Sequence, residues 1–140
     1  MSQTQSDYPY KASHRFARSS ARKVRLLLDL VRGKYADDAL TMLKYMPHRA
    51  ARMVEQVLKS AMANAEDQGI RAPGDLIIGD ARADDAGMFK RLMPRARGMA
   101  YLVRRRSSHI TVGLADLDVF KDMRRPENNR RLARVDADAD

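Results

Sequence analysis

In 140 residues the chain sets 27 Lys and Arg against 18 Asp and Glu, contains no cysteine, and has a formal charge of +9 with an isoelectric point near 10.2. The lack of cysteine excludes disulfides and thiolate metal sites, no apolar run approaches the roughly 18 residues of a membrane helix, and MSQTQSDYPYKASHR has no apolar core of a secretory signal, so a soluble, cytoplasmic protein is expected. A charge of this size is silent on fold but points to nucleic acid, an anionic membrane surface or an acidic protein as partner, and counterion release favours polyphosphate among them.

Residues 1–9 are polar and read as a disordered N-terminus. Tyr10 to Arg18 alternates loosely and reads as a short strand. Ser20 is placed as the N-cap of a first helix, in which Val24, Leu27, Leu28 and Val31 follow the i, i+3, i+4, i+7 pattern and Gly33 supplies the stop. A second helix spans Ala36 to Met46. Asp37 and Asp38 lie in its first turn, where the helix dipole favours them, Leu40 and Leu43 share a face, and Pro47 marks the break. The third helix, Arg49 to Asp67, buries Ala51, Val54, Leu58, Ala61 and Ala65, with Val57 and Met62 widening the stripe. Arg52, Glu55, Lys59 and Glu66 fall on positions that read as its exposed side.

Gln68 to Asp75 is a loop by its Gly69, Pro73 and Gly74. Leu76 to Ala83 then reads as one arm of a β-hairpin, returning through Ile110, Val112 and Leu114. A turn centred near Arg95–Arg97 puts Val112 opposite Ala81. The hairpin, about residues 80–112, is therefore apolar at its base and basic beyond it, with a distal part reaching about 30 Å at the usual strand rise. Residues 121–140 end in VDADAD and read as a disordered charged tail. The fold class is α+β: a single domain over 10–120, three helices packed on a small, mainly antiparallel sheet, with the long hairpin protruding.

Catalytic chemistry finds no footing in this sequence. His14, His48 and His109 are scattered outside any metal-ligand spacing, and there is no phosphate-binding glycine loop or nucleophile elbow. Asp84 and Asp85 are neighbours on a strand, so they point to opposite faces. Neither enzyme activity, cofactor, metal nor small-molecule substrate is expected.

Two acid-free clusters stand out instead. The first holds Lys11, Arg15, Arg18, Arg22, Lys23 and Arg25, with His14 among them. The second, on the hairpin, holds Lys90, Arg91, Arg95, Arg97, Arg104, Arg105 and Arg106, with His109 just beyond. An ordinary solvated surface mixes its signs, so these clusters read as nucleic-acid contacts. No recognition helix or zinc finger is present to enter a DNA major groove. A thin arginine-rich rod suits a folded RNA, although a free-standing nucleic-acid-binding regulator remains the alternative. Met88, Leu92, Met93 and Met99 near the tip imply that it is covered or confined.

Three stretches carry a resemblance. SSARKVRLLLDLVRGK (Ser19–Lys34) resembles the first-helix signature of the large-subunit ribosomal protein twenty-two family. ADDALTMLKYM with VLKSAMANAE is similar to that family's second and third helices, and KRLMPRARG with RRSSHITV is similar to its hairpin tip and return strand. The resemblance runs from about Ala12 to Val112. It implies a non-catalytic component of the cytoplasmic ribosome that binds large-subunit ribosomal RNA, beside neighbouring ribosomal proteins. It further implies a tip, here Phe89, Lys90, Arg91, Leu92, Met93, Pro94, Arg95, Ala96 and Arg97, that helps line the exit tunnel of the nascent polypeptide. Members commonly carry Arg where this chain has Met99 and Asp where it has Tyr101, which implies a more apolar tip here.

Overall fold

The structure is a computed structural model and describes residues 8–124. The readings of disorder for the N-terminus, apart from Tyr8 and Pro9, and for residues 125–140 lie outside the described residues. The elements run β1 (Tyr10–Ala17), α1 (Ala21–Val31), α2 (Ala36–Tyr45), α3 (Arg49–Asp67), β2 (Ile77–Pro94), β3 (Ala100–Ala115) and α4 (Leu117–Arg124), with one 3-10 turn over Pro73–Asp75. The fold class is α+β, as the periodicities predict.

The apolar stripes build the body. Val24, Leu27, Leu28 and Val31 of α1, Leu43 of α2, and Ala51, Val54, Leu58, Ala61 and Ala65 of α3 are all buried in one cluster with Ala81, Ala83, Ile110, Val112 and Leu114 of the sheet. The sheet has the order β1-β3-β2 and is antiparallel throughout. Its alternation leaves one face against the helices and turns the other, with Lys11, Ser13, Asp80 and Arg82, away from them. Gly33, with a φ of +79°, ends α1 as a glycine does where a left-handed residue is needed. Its N–H then reaches the Ile78 carbonyl at 2.8 Å, which hands the chain to the base of β2. Ser20 does hold the N-cap position, but through its carbonyl, which accepts from Lys23 and Val24; its side chain makes no capping bond.

The strand pairing confirms Ala81 opposite Val112. Two irregularities then add one residue each to β2, between Ile78 and Asp80 and between Asp85 and Met88. The register drifts accordingly, so the outermost pair, Pro94 with Ala100, centres the turn on Arg97. The second bulge is where the hairpin leaves the body. On the body side Ser107 and Ser108 are buried, and the Ser107 hydroxyl donates to the Gly87 carbonyl across the bulge. On the far side nearly every residue of both strands is exposed. From Asp84 to Pro94 the strand rise carries the arm about 30 Å.

Two features depart from the sequence reading. Residues 121–124, expected to begin the disordered tail, complete α4 instead, with Val119 and Phe120 half-buried and Asp118 in the first turn. Glu55, read as exposed, is only 7% exposed. Lys59 Nζ donates to one of its oxygens at 2.8 Å and Arg52 Nη1 to the other at 3.2 Å. The cations stay in solvent on flexible stems while the shorter acid is drawn inward.

That arrangement sets a pH dependence. The Lys59 hydrogen bond acts most strongly on the Glu55 carboxyl, burial opposes it, the Arg52 bond adds to it, and the net effect is a lowered pKa. A folded-state pKa below the unfolded value contributes stability above the unfolded value, lost as pH falls through the folded one. Glu55→Gln is expected to cost about 0.5–1 kcal/mol at neutral pH, the scale of helix ion pairs. The difference from the natural chain should close in strongly acidic buffer. Urea midpoints at the two pH values measure this, and equal midpoints at neutral pH would show that the pair contributes nothing.

Candidate nucleic-acid interface

The first basic cluster forms where the edge strand β1 runs into α1. Lys11 and Arg15 project from the sheet face that the helices leave uncovered, and Arg18, Arg22 and Lys23 continue through the turn into the first helical turn. All five are exposed, and among the described residues none lies in an ion pair. The first turn of α1 holds no acid. Cations at a helix N-terminus oppose its dipole, so Arg22 and Lys23 are poorly placed for stability and well placed for an anion, which the free N–H groups there also favour.

The other predicted members of this cluster are diverted. Arg25 donates from Nε to the Ala83 carbonyl at 2.9 Å and sets Nη2 3.9 Å from Asp85. Arg32, which the sequence does not single out, donates to the Ala81 carbonyl and pairs with Asp29 at 2.8 Å. The two arginines fasten α1 to β2 just below the protruding arm. His14 is half-buried on the helix-packed face beside Ile110, away from Lys11 and Arg15. His109 Nδ1 accepts the backbone N–H of Phe16 at 3.0 Å.

The hairpin has a banded surface that only the register reveals. Residues paired across the two strands share a face. Just beyond the bulge, one face carries Arg106 beside Met88 and Arg104 beside Lys90, and the other carries Arg105 beside Phe89 and Arg91 beside Val103. The next pairs are apolar: Leu92 with Leu102 and Met93 with Tyr101, all exposed. The turn is basic again, through Arg95 and Arg97. A basic band therefore rings the middle of the arm, an apolar collar lies outside it, and two arginines cap the end. Arg104 and Lys90 stand opposite one another, a like-charge pairing that disfavours the free strand pair. Among the described residues no carboxylate is within ion-pair distance of any arm cation.

At the tip, the Arg95 N–H reaches the Met99 carbonyl at 2.8 Å and the chain reverses through Arg97 and Gly98, both with positive φ. Arg95, Ala96, Arg97, Met99 and Tyr101 line a shallow open concavity there. The two basic clusters are thus separate: one lies on the body and one on the arm, with Arg25 and the bulge between them.

Among the described residues no group of His, Asp and Glu is arranged to hold a metal, and no helix is long and apolar enough to cross a membrane. Asp84 and Asp85 lie opposite His109 and Ser108 on alternate faces of β2, as the strand rule predicts.

The family described as Ribosomal protein L22p/L17e matches residues 12–115, from β1 to the end of β3. The chain belongs to the ribosomal protein L22p/L17e family. Its relatives include the large ribosomal subunit protein uL22 of Rhodopirellula baltica, 52% identical over 114 residues that cover 78% of this chain and 96% of the relative. The protein of the same name from Caldicellulosiruptor saccharolyticus is 48% identical over 75% of this chain and 86% of the relative. That of Roseiflexus sp. is 48% identical over 76% and 94%. The L22p/L17e match takes in the whole arm and the first basic cluster apart from Lys11, and it stops before α4. Membership makes this chain a ribosomal protein of the large subunit.

Proposed function

We propose that the chain is a structural component of the large ribosomal subunit in the cytoplasm, that it binds large-subunit ribosomal RNA, and that its hairpin tip lines the exit tunnel of the nascent polypeptide. The banded arm is the observation that carries this reading. A ribbon with cations on both faces and no acid is unfavourable alone and favourable among phosphates, where each neutralised contact releases counterions. Arg104, Arg105, Arg106, Lys90 and Arg91 hold RNA along the arm. Lys11, Arg15, Arg18, Arg22 and Lys23 hold it at the body, so RNA segments bound at the two places are drawn together during assembly. His14 and Arg25 contribute to the fold first and to RNA second. The apolar collar and the Phe89–Arg97 tip, with Met99 and Tyr101, then form wall rather than anchor. Neighbouring ribosomal proteins abut the body, and no chemical step is assigned to it.

Sedimentation and cross-linking test this together. The chain should travel with large subunits, a photoreactive side chain at Arg104 should join to ribosomal RNA, and one at Arg95 should join to a stalled nascent polypeptide. Recovery in light fractions would point to a free-standing regulator and overturn the reading. An Arg95 probe that never reaches nascent chain would remove the tunnel role alone.

A further inference from the structure

Phe16 is out of place by two independent criteria. Along β1, Tyr10, Ala12 and His14 turn toward the helices, so alternation should send residue 16 the same way. A register shift between His14 and Ala17 reverses this: Ala17 is buried, and Phe16 is 59% exposed on the outer side. Phe16 also has a φ of +56°, in a region where glycine and asparagine are at home and a bulky aromatic side chain is not. Strain of this kind persists where surrounding contacts impose it, and it concentrates at functional positions.

The surroundings here do impose it. His109 receives the Phe16 N–H, and its ring meets the Phe16 ring edge-on with centroids 4.6 Å apart. The Arg15 guanidinium lies over the Phe16 ring, 5.6 Å from its centroid. An exposed phenyl ring adds nothing to the core, and a glycine would make the same bulge without strain. The ring nonetheless stands in the acid-free patch of Lys11, Arg15, Arg18, Arg22 and Lys23, bounded by Asp84 on the far strand, opposite His109.

We propose that Phe16 and Arg15 form a stacking platform for an unpaired base of large-subunit ribosomal RNA, with His109 as the positioning residue that turns the ring outward. An aromatic face beside a guanidinium plane is the surface on which splayed-out bases stack, and the flanking cations hold the backbone of the same nucleotide. This rests on the ribosomal RNA reading above and gives the body cluster a contact with bases in addition to phosphates.

Phe16→Gly separates stacking from folding, because it removes the ring while keeping the N–H for His109 and relieving the strained φ. Its thermal midpoint should equal or exceed that of the natural chain. Its affinity for deproteinised large-subunit RNA should fall about 5- to 150-fold, the measured range for loss of one base–aromatic stack, with the salt slope unchanged. Phe16→Trp supplies the only indole of a chain without tryptophan, and its fluorescence should be quenched as RNA saturates the full-length protein. Natural affinity in Phe16→Gly together with an unquenched indole in RNA-bound Phe16→Trp would overturn the platform and leave RNA binding standing. Failure of the natural chain to bind the RNA would overturn both.

Discussion

With Arg104, Arg105 and Arg106 all replaced by alanine, binding to large-subunit ribosomal RNA is expected to lose about 2 to 3 units of slope in log K against log salt, since each phosphate contact contributes roughly 0.7 to 0.9. The three side chains ring the arm: Arg104 and Arg106 lie on one face and Arg105 on the other, all exposed. A channel of phosphates around the arm would touch all three, whereas a flat anionic surface would touch one face only. The substitution should not unfold the arm, because it removes the like-charge opposition of Arg104 and Lys90. Arg52→Ala is the matched control, since that guanidinium serves Glu55 on the body, and it should leave the slope unchanged. An unchanged slope in the triple variant would mean that these arginines face solvent, and the arm would need another explanation.

The residues differ in how openly they declared themselves. The three helices followed from the helical period of their apolar residues, and the Ala81–Val112 pairing from a turn placed near Arg95–Arg97, which the one residue added between Asp85 and Met88 shifts only to Arg97. The basic character of the arm was equally plain. Its banding was not, because it depends on which residue faces which across two strands, and that waits on the bulges. A bulge is decided by the partner strand: His109 and Ser108 of β3 accommodate the extra residue of β1, and no pattern within Tyr10–Arg18 records this. For the same reason Phe16 looked like one more inward position. Glu55 looked solvated because it sits between Arg52 and Lys59, yet those two cations are what allow the carboxylate to be buried. Arg25 belonged to a cluster by composition and to the α1–β2 joint by geometry. α4 escaped because Leu117, Val119 and Phe120 are too few to stand out against the charges that follow.

Amide hydrogen exchange should divide the free protein into two parts and make them one when RNA binds. Beyond the Asp85–Met88 bulge the arm is a two-stranded ribbon with both faces in solvent. Such a ribbon is at best marginally stable, so its amides should exchange through local opening while those of Ile110, Val112 and Leu114 await global unfolding. Cross-strand repulsion between Lys90 and Arg104 lowers the cost of opening further. RNA that binds only the closed arm slows exchange by the linkage factor, about 100-fold at a free RNA concentration 100 times Kd. The effect should run from Met88 to Arg106 and fade at Ser107 and Ser108, which are already buried in the free chain. Slowing confined to β1 and the start of α1 would mean that RNA holds the body alone. Equal protection of the arm amides with and without RNA would mean that the arm does not dock, since a charged ribbon fixed among phosphates cannot open as freely as one in water.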